Sequence, residues 1–127
     1  MSNNGGAAEF TPAVISENAS VVLEKRYLQK NEASEIVESP VGMFRRVAKA
    51  LASPELKYEK TPDEVAKLEE GFFQAMASLE YLPNSPTMMN AGTGEGTLSA
   101  CFVLPLRDSM EGIMGAAHDA AMVQKFG

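Results

Sequence analysis

Pro83 and Pro86 bound what this chain can fold into. Apolar positions Val65, Leu68, Phe72, Met76 and Leu79 hold one face of a helix before them. A proline has no backbone N–H and disfavours helix in the residue ahead of it. That helix therefore stops, and residues 82–97 read as loop. Beyond them, Leu98 to Leu104 is a short apolar run between a glycine-rich link and Pro105, which reads as a β-strand.

The other prolines punctuate the chain upstream. Thr61-Pro62-Asp63-Glu64 has capping-box spacing with proline in the first turn, so it opens the helix that Pro83 closes. Ser39-Pro40 opens an earlier helix with Phe44, Val47, Ala48 and Leu51 as its inner stripe, and Ser53-Pro54 ends it. Arg45, Arg46 and Lys49 fall outside that stripe and read, like Lys25-Arg26, as solvated faces. Ser16 caps a first helix carrying Ile15, Ala19, Val22, Leu23 and Leu28, and Asn31 to Glu38 reads as a polar turn. Asp108 and Glu111 open a last helix rich in Met and Ala, with Met110, Ile113, Met114, Ala117, Ala121 and Met122. The expected fold is mainly α, about four helices and one strand near 98–104. It divides into a flexible N-terminus over 1–14, a helical region over 15–81 and a further unit over 82–127.

Composition narrows the function classes. With 45% apolar and 22% charged residues the chain is an ordinary globular one, and a net charge of −6 without a basic patch speaks against nucleic acid. One cysteine makes no internal disulfide, which fits a reducing, cytoplasmic setting. The apolar runs are too short for a bilayer, and residues 1–10 lack the basic start and apolar core of a signal peptide. One His and one Cys make no metal site, and the chain has neither a Walker motif nor G-x-G-x-x-G.

Two features could carry chemistry. Cys101 sits on the expected strand, where a lone thiol is either a small buried hydrophobe or a reactive group. His118 could serve it as a base or could be a packed or surface histidine. The loop supplies Ser85, Thr87, Asn90, Thr93, Thr97 and Ser99 on a backbone stiffened by proline and opened by glycine. That suits a polar, phosphorylated small molecule. It equally suits an ordinary polar connection, and the residue types alone leave both readings open.

Longer motifs add a resemblance. Leu82-Pro83-Asn84-Ser85-Pro86-Thr87-Met88-Met89-Asn90-Ala91-Gly92-Thr93 is followed by Leu98-Ser99-Ala100-Cys101-Phe102-Val103-Leu104-Pro105 and Asp108-Ser109-Met110-Glu111-Gly112-Ile113. Together they resemble the start of the catalytic domain of ribonucleotide reductase large chains, above all the adenosylcobalamin-dependent class. Leu23-Glu24-Lys25-Arg26-Tyr27-Leu28 and Met43-Phe44-Arg45-Arg46-Val47-Ala48 resemble it too, so the likeness spans Ile15 to Phe126. It implies that residues 82–127 begin an α/β ten-stranded barrel, and that Cys101 is a redox-active thiol. It also implies that Ser85, Ala100 and Cys101 contact a ribonucleoside diphosphate or triphosphate. The family's further cysteines and its cobalamin site have no counterpart here, so the chain would be an N-terminal portion, inactive by itself. It implies adenosylcobalamin in the intact enzyme, a thioredoxin-like reductant and a homodimer. Two other readings stand beside it: a helical nucleotide-binding or subunit-interaction module, and part of a diiron-dependent reductase.

Overall fold

The computed structural model describes residues 11–126, so most of the expected flexible N-terminus, residues 1–10, lies outside the described residues. Among the described residues five α-helices follow one another: α1 (Glu17–Arg26), α2 (Pro40–Ala52), α3 (Pro62–Ala77), α4 (Ser85–Asn90) and α5 (Met110–Phe126). A 3-10 segment, Ser53–Tyr58, joins α2 to α3.

The helix starts follow from their caps. Ser16 and Ser39 Oγ accept the N–H groups of Ala19 and Gly42. At α3 the box is complete: Glu64 N donates to Thr61 Oγ1 at 3.3 Å, and Thr61 N donates to Glu64 Oε2 at 2.8 Å. α4 was not expected. Asn84 Oδ1 accepts Thr87 N at 2.9 Å, which places Pro86 in the first turn. There its missing N–H has no intrahelical partner to lose, so the proline that ends α3's run also helps begin the next helix.

The core lies where α2, α3 and α4 meet. Met43, Val47 and Met76 are its largest fully buried side chains, and Phe44, Ala48, Phe73, Ala77, Met88, Ala91 and Leu28 complete it. α2 packs against α3 more extensively than any other pair of elements. On α3 the inner face differs from the expected stripe. Val65, Phe73, Met76 and Ala77 are buried, whereas Phe72 is 40% exposed. At 100° per residue these four fall within about 120° of arc, with Leu68 and Phe72 at its margin. Leu79 is past the helix end, exposed, with φ 62°. On α2, Ala52 rather than Leu51 closes the buried row, Leu51 packing at the edge of the core. α1 buries no residue, and touches the core through Leu23. The polar turn after it closes with an isolated antiparallel bridge between Lys30 and Ile36.

The strand expected at 98–104 does not form. That bridge is the one β pairing among the described residues, and Leu98 to Leu104 has no ladder partner. A strand is completed by a neighbour's N–H and C=O groups, which this stretch lacks. Val103 is accordingly 98% exposed. No helix among the described residues is long and apolar enough to cross a membrane.

Candidate functional site around the Ser85 loop

Arg46 organises the loop. The sequence reading put it on a solvated face, yet its side chain is 15% exposed and points into the structure. Its Nε donates to Glu38 Oε1 at 2.8 Å and its Nη2 to Glu38 Oε2 at 3.0 Å, a bidentate pair. The same guanidinium reaches α4, donating to Ala91 O at 2.6 Å and to Met88 O at 3.2 Å. Gln29 Nε2 donates to Met89 O at 3.2 Å, and Glu38 Oε2 also accepts Gln29 N. A helix leaves its last carbonyls without internal partners. Here a planar cation and an amide from earlier in the chain occupy them, which fixes the end of α4 against α2. Arg45 stays at the surface, its side chain 43% exposed, but is not without partners. It lies 3.5 Å over the Phe73 ring and pairs with Glu70 at 2.6 Å.

The loop's own polar side chains mostly bind the loop. Thr87 Oγ1 donates to Leu98 O at 2.7 Å and Asn90 Nδ2 to Thr97 O at 2.8 Å, so residues 97 and 98 are tied back onto α4. Thr93 Oγ1 donates to Asn90 O, and Thr97 Oγ1 to Ser99 O. The link turns at Gly92, φ 81°, where an added Cβ would stand 3.0 Å from Arg46 Cγ, and at Gly96, φ 72°, where it would collide with the Asn90 amide. Glycine is required at both by conformation and by space. Of the hydroxyls and amides expected to face a ligand, Thr87, Asn90, Thr93 and Thr97 are thus engaged internally.

Ser85 is different. It sits in the first turn of α4, exposed, and its Oγ is 2.9 Å from the Tyr27 hydroxyl. Ala100 and Cys101 follow the tethered Leu98 and are exposed. The thiol is therefore open rather than buried in a strand, because the strand that would bury it is unpaired. His118 is exposed on α5 and pairs with Asp119 at 3.2 Å; no hydrogen bond joins it to Cys101. Of the sequence-expected site residues, Ser85 and the Ala100–Cys101 pair flank one tether, and His118 is not brought to them by any bond. Sequence reasoning missed Tyr27, Gln29 and Arg46, whose loop partners lie 42 to 60 residues away, and Glu38, whose partners Arg46 and Gln29 lie 8 and 9 residues away on other segments.

Two of the cavities border α4. One, about 590 Å³, is apolar and opens between α1, Phe44, Leu79, Leu82 and Met88. The other, about 240 Å³, is of mixed polarity and lies between Lys25–Lys30 and Met89–Asn90. Among the described residues no three His, Cys, Asp or Glu side chains gather to hold a metal.

A helical core clamped onto a proline-started helix, with a tethered thiol segment beyond, defines an all-helical module that presents a loop. Residues 14–96 match the family described as the ribonucleotide reductase all-alpha domain, and the chain belongs to that family. It is 40% identical over 113 residues to the vitamin B12-dependent ribonucleoside-diphosphate reductase of Mycobacterium tuberculosis (strain CDC 1551 / Oshkosh), covering 89% of this chain and 16% of that protein. It is 36% identical over 163 aligned positions to the enzyme of the same name from Thermoplasma acidophilum, covering 87% and 21%. To the Helicobacter pylori (strain ATCC 700392 / 26695) ribonucleoside-diphosphate reductase subunit alpha it is 32% identical over 105 residues, covering 83% and 12%. The chain thus spans between an eighth and a fifth of the length of these relatives. The first alignment takes in 113 of 127 residues, so wherever it begins it includes Ser85 and Cys101.

Proposed function

We propose that this chain is the N-terminal portion of a ribonucleoside-diphosphate reductase, which converts ribonucleotides to deoxyribonucleotides for DNA synthesis. The observation that carries this is the likeness to vitamin B12-dependent reductases, which runs through the Ser85 loop and on past Cys101. In this reading residues 82–127 begin the catalytic barrel, and Leu98 to Leu104 becomes its first strand once neighbouring strands supply the missing ladder. Ser85 and Ala100 contact the substrate nucleotide. Cys101 is one of two thiols that deliver two electrons and two protons to the ribose. The 2′-hydroxyl leaves as water, hydrogen takes its place, and the thiols end as a disulfide that a thioredoxin-like dithiol reduces again. The second thiol, and the cysteine whose thiyl radical opens the reaction, lie outside this chain, so it does not turn over alone. The chemistry calls for an open thiol beside a held substrate, and an exposed Cys101 just beyond the tethered Leu98 suits that task.

Adenosylcobalamin is the radical source this reading assigns to the intact enzyme, by analogy with the relatives' names. The residues described here do not fit the cofactor themselves. The 590 Å³ cavity is apolar, and the one histidine is exposed and paired with Asp119. Its site belongs to the remainder of the enzyme, and no step through it follows from this chain. This reading also assigns the intact enzyme to the cytoplasm and to a homodimer. The lone reduced thiol fits the compartment.

The test is a chimera in which this chain replaces the matching segment of the Mycobacterium tuberculosis relative. It should reduce ribonucleoside diphosphates, and Cys101→Ser should abolish multiple turnover while leaving nucleotide binding intact. Undiminished turnover in the Cys101→Ser chimera would remove Cys101 from the mechanism.

A further inference from the structure

Among the loop's polar side chains, Ser85 alone has its side-chain partner outside the loop. Its Oγ meets the Tyr27 hydroxyl at 2.9 Å, across 58 residues of sequence. Tyr27 is well placed to hold it. As the C-cap of α1 it donates its N–H to Leu23 O at 2.8 Å. The next residue, Leu28, is buried in the core, and the Tyr27 ring packs against that core. The hydroxyl is therefore carried on a ring whose backbone and face are both fixed. A serine hydroxyl, by contrast, turns freely about one bond and has one donor and two acceptor sites. Resting on the reading of Ser85 as a substrate contact, we propose that Tyr27 is a positioning residue. Its O–H donates to Ser85 Oγ, fixes the serine rotamer, and leaves the serine O–H to donate to an oxygen of the nucleotide.

This arrangement links two parts of the chain that sequence separates. The helical region sets the aim of a group on the loop, and the ordering cost of that group is met before the ligand arrives. Loss of one such hydrogen bond corresponds to about a three- to tenfold weaker interaction.

Two measurements test it. In the 127-residue chain, side-chain coupling constants of Ser85 should report one χ1 rotamer, and Tyr27→Phe should average it. Identical averaging in both proteins overturns the proposal. In the chimera, Tyr27→Phe should raise KM for a ribonucleoside diphosphate about three- to tenfold with kcat held, as should Ser85→Ala. The double variant should be no worse than Ser85→Ala alone, because Tyr27 acts only through Ser85. Tyr58→Phe, at an exposed tyrosine on the 3-10 segment, serves as the unaffected control. If Tyr27→Phe lowers the unfolding temperature but leaves KM alone while Ser85→Ala raises it, Tyr27 is only a structural clamp and the proposal fails. If Ser85→Ala itself leaves KM unchanged, the substrate role of Ser85 fails and takes the proposal with it.

Discussion

Arg46 shows how much a single side chain can decide. Its guanidinium serves one carboxylate and two carbonyls, with 15% of its side chain exposed and 11% of Glu38's. Arg46→Ala would strand Glu38 and leave the α4 carbonyls to water, at a cost of about 2–4 kcal/mol. Arg46→Lys keeps the charge but not the planar fork, and should cost about 1–2 kcal/mol. Urea unfolding monitored by circular dichroism measures both, and equal stability of Arg46→Ala and wild type would contradict the clamp. Gly92→Ala loads the same place from the other side, through a φ of 81° and a 3.0 Å approach to Arg46 Cγ. It should lose about 1–2 kcal/mol. Cys101→Ser, at an exposed and unpartnered position, should leave stability within about 0.5 kcal/mol of wild type. A reductase role for Cys101 therefore predicts loss of turnover without loss of fold.

Among the elements, α3 carries the most local information. Its capping box holds the Glu64 carboxyl below the ordinary range, first through the Thr61 backbone N–H and then through the Thr61 side chain. Glu70, on the same helix, is lowered chiefly by its hydrogen bond from Arg45. Both groups have folded-state values depressed relative to the unfolded chain. Their contribution is therefore present above the unfolded carboxylate value, and is lost as pH falls through the lower folded value. Thermal midpoints should decline from about pH 5 downward, and the decline should be shallower in Thr61→Ala, which removes both of the hydroxyl's bonds to Glu64. Loss of the Thr61 cap by itself is worth about 1 kcal/mol. An unchanged pH slope in Thr61→Ala would show that the Thr61 hydroxyl adds nothing to what the backbone N–H does for Glu64. α4 is the contrasting case. Six residues could not stand as an isolated helix, and Ser85–Asn90 persists because Thr87, Met88 and Ala91 are buried against α2 and the core.

Across the whole molecule, burial is concentrated in α2, α3 and α4, while α5 and the segment before it keep apolar side chains in solvent. Met110, Met114 and Leu106 are 69%, 62% and 72% exposed. Hydrogen exchange should divide the chain accordingly: slow amides through Met43–Ala52 and Val65–Ala77, fast ones through most of α5. Comparable protection in α5 would mean that the chain associates through that face in solution. In the chimera, α5 and residues 98–104 should become protected together, since the proposed barrel would cover both.

Much of this was legible in advance because it is local. A capping side chain or a proline in a first turn acts over three or four residues, so Ser16, Ser39 and Thr61 announce their roles in the sequence. The family resemblance was legible for a related reason: the Ser85 and Cys101 motifs are contiguous runs. What only the tertiary structure decided depends on partners far along the chain. Arg46 is inward because Glu38, Met88 and Ala91 converge on it. Phe73 rather than Phe72 is buried because α2 lies on that side, with Arg45 stacked over the ring. Leu98 to Leu104 has the apolar content of a strand and no strand beside it. Apolar pattern is a property of a segment, whereas a ladder is a property of two, and the second is not written in the first.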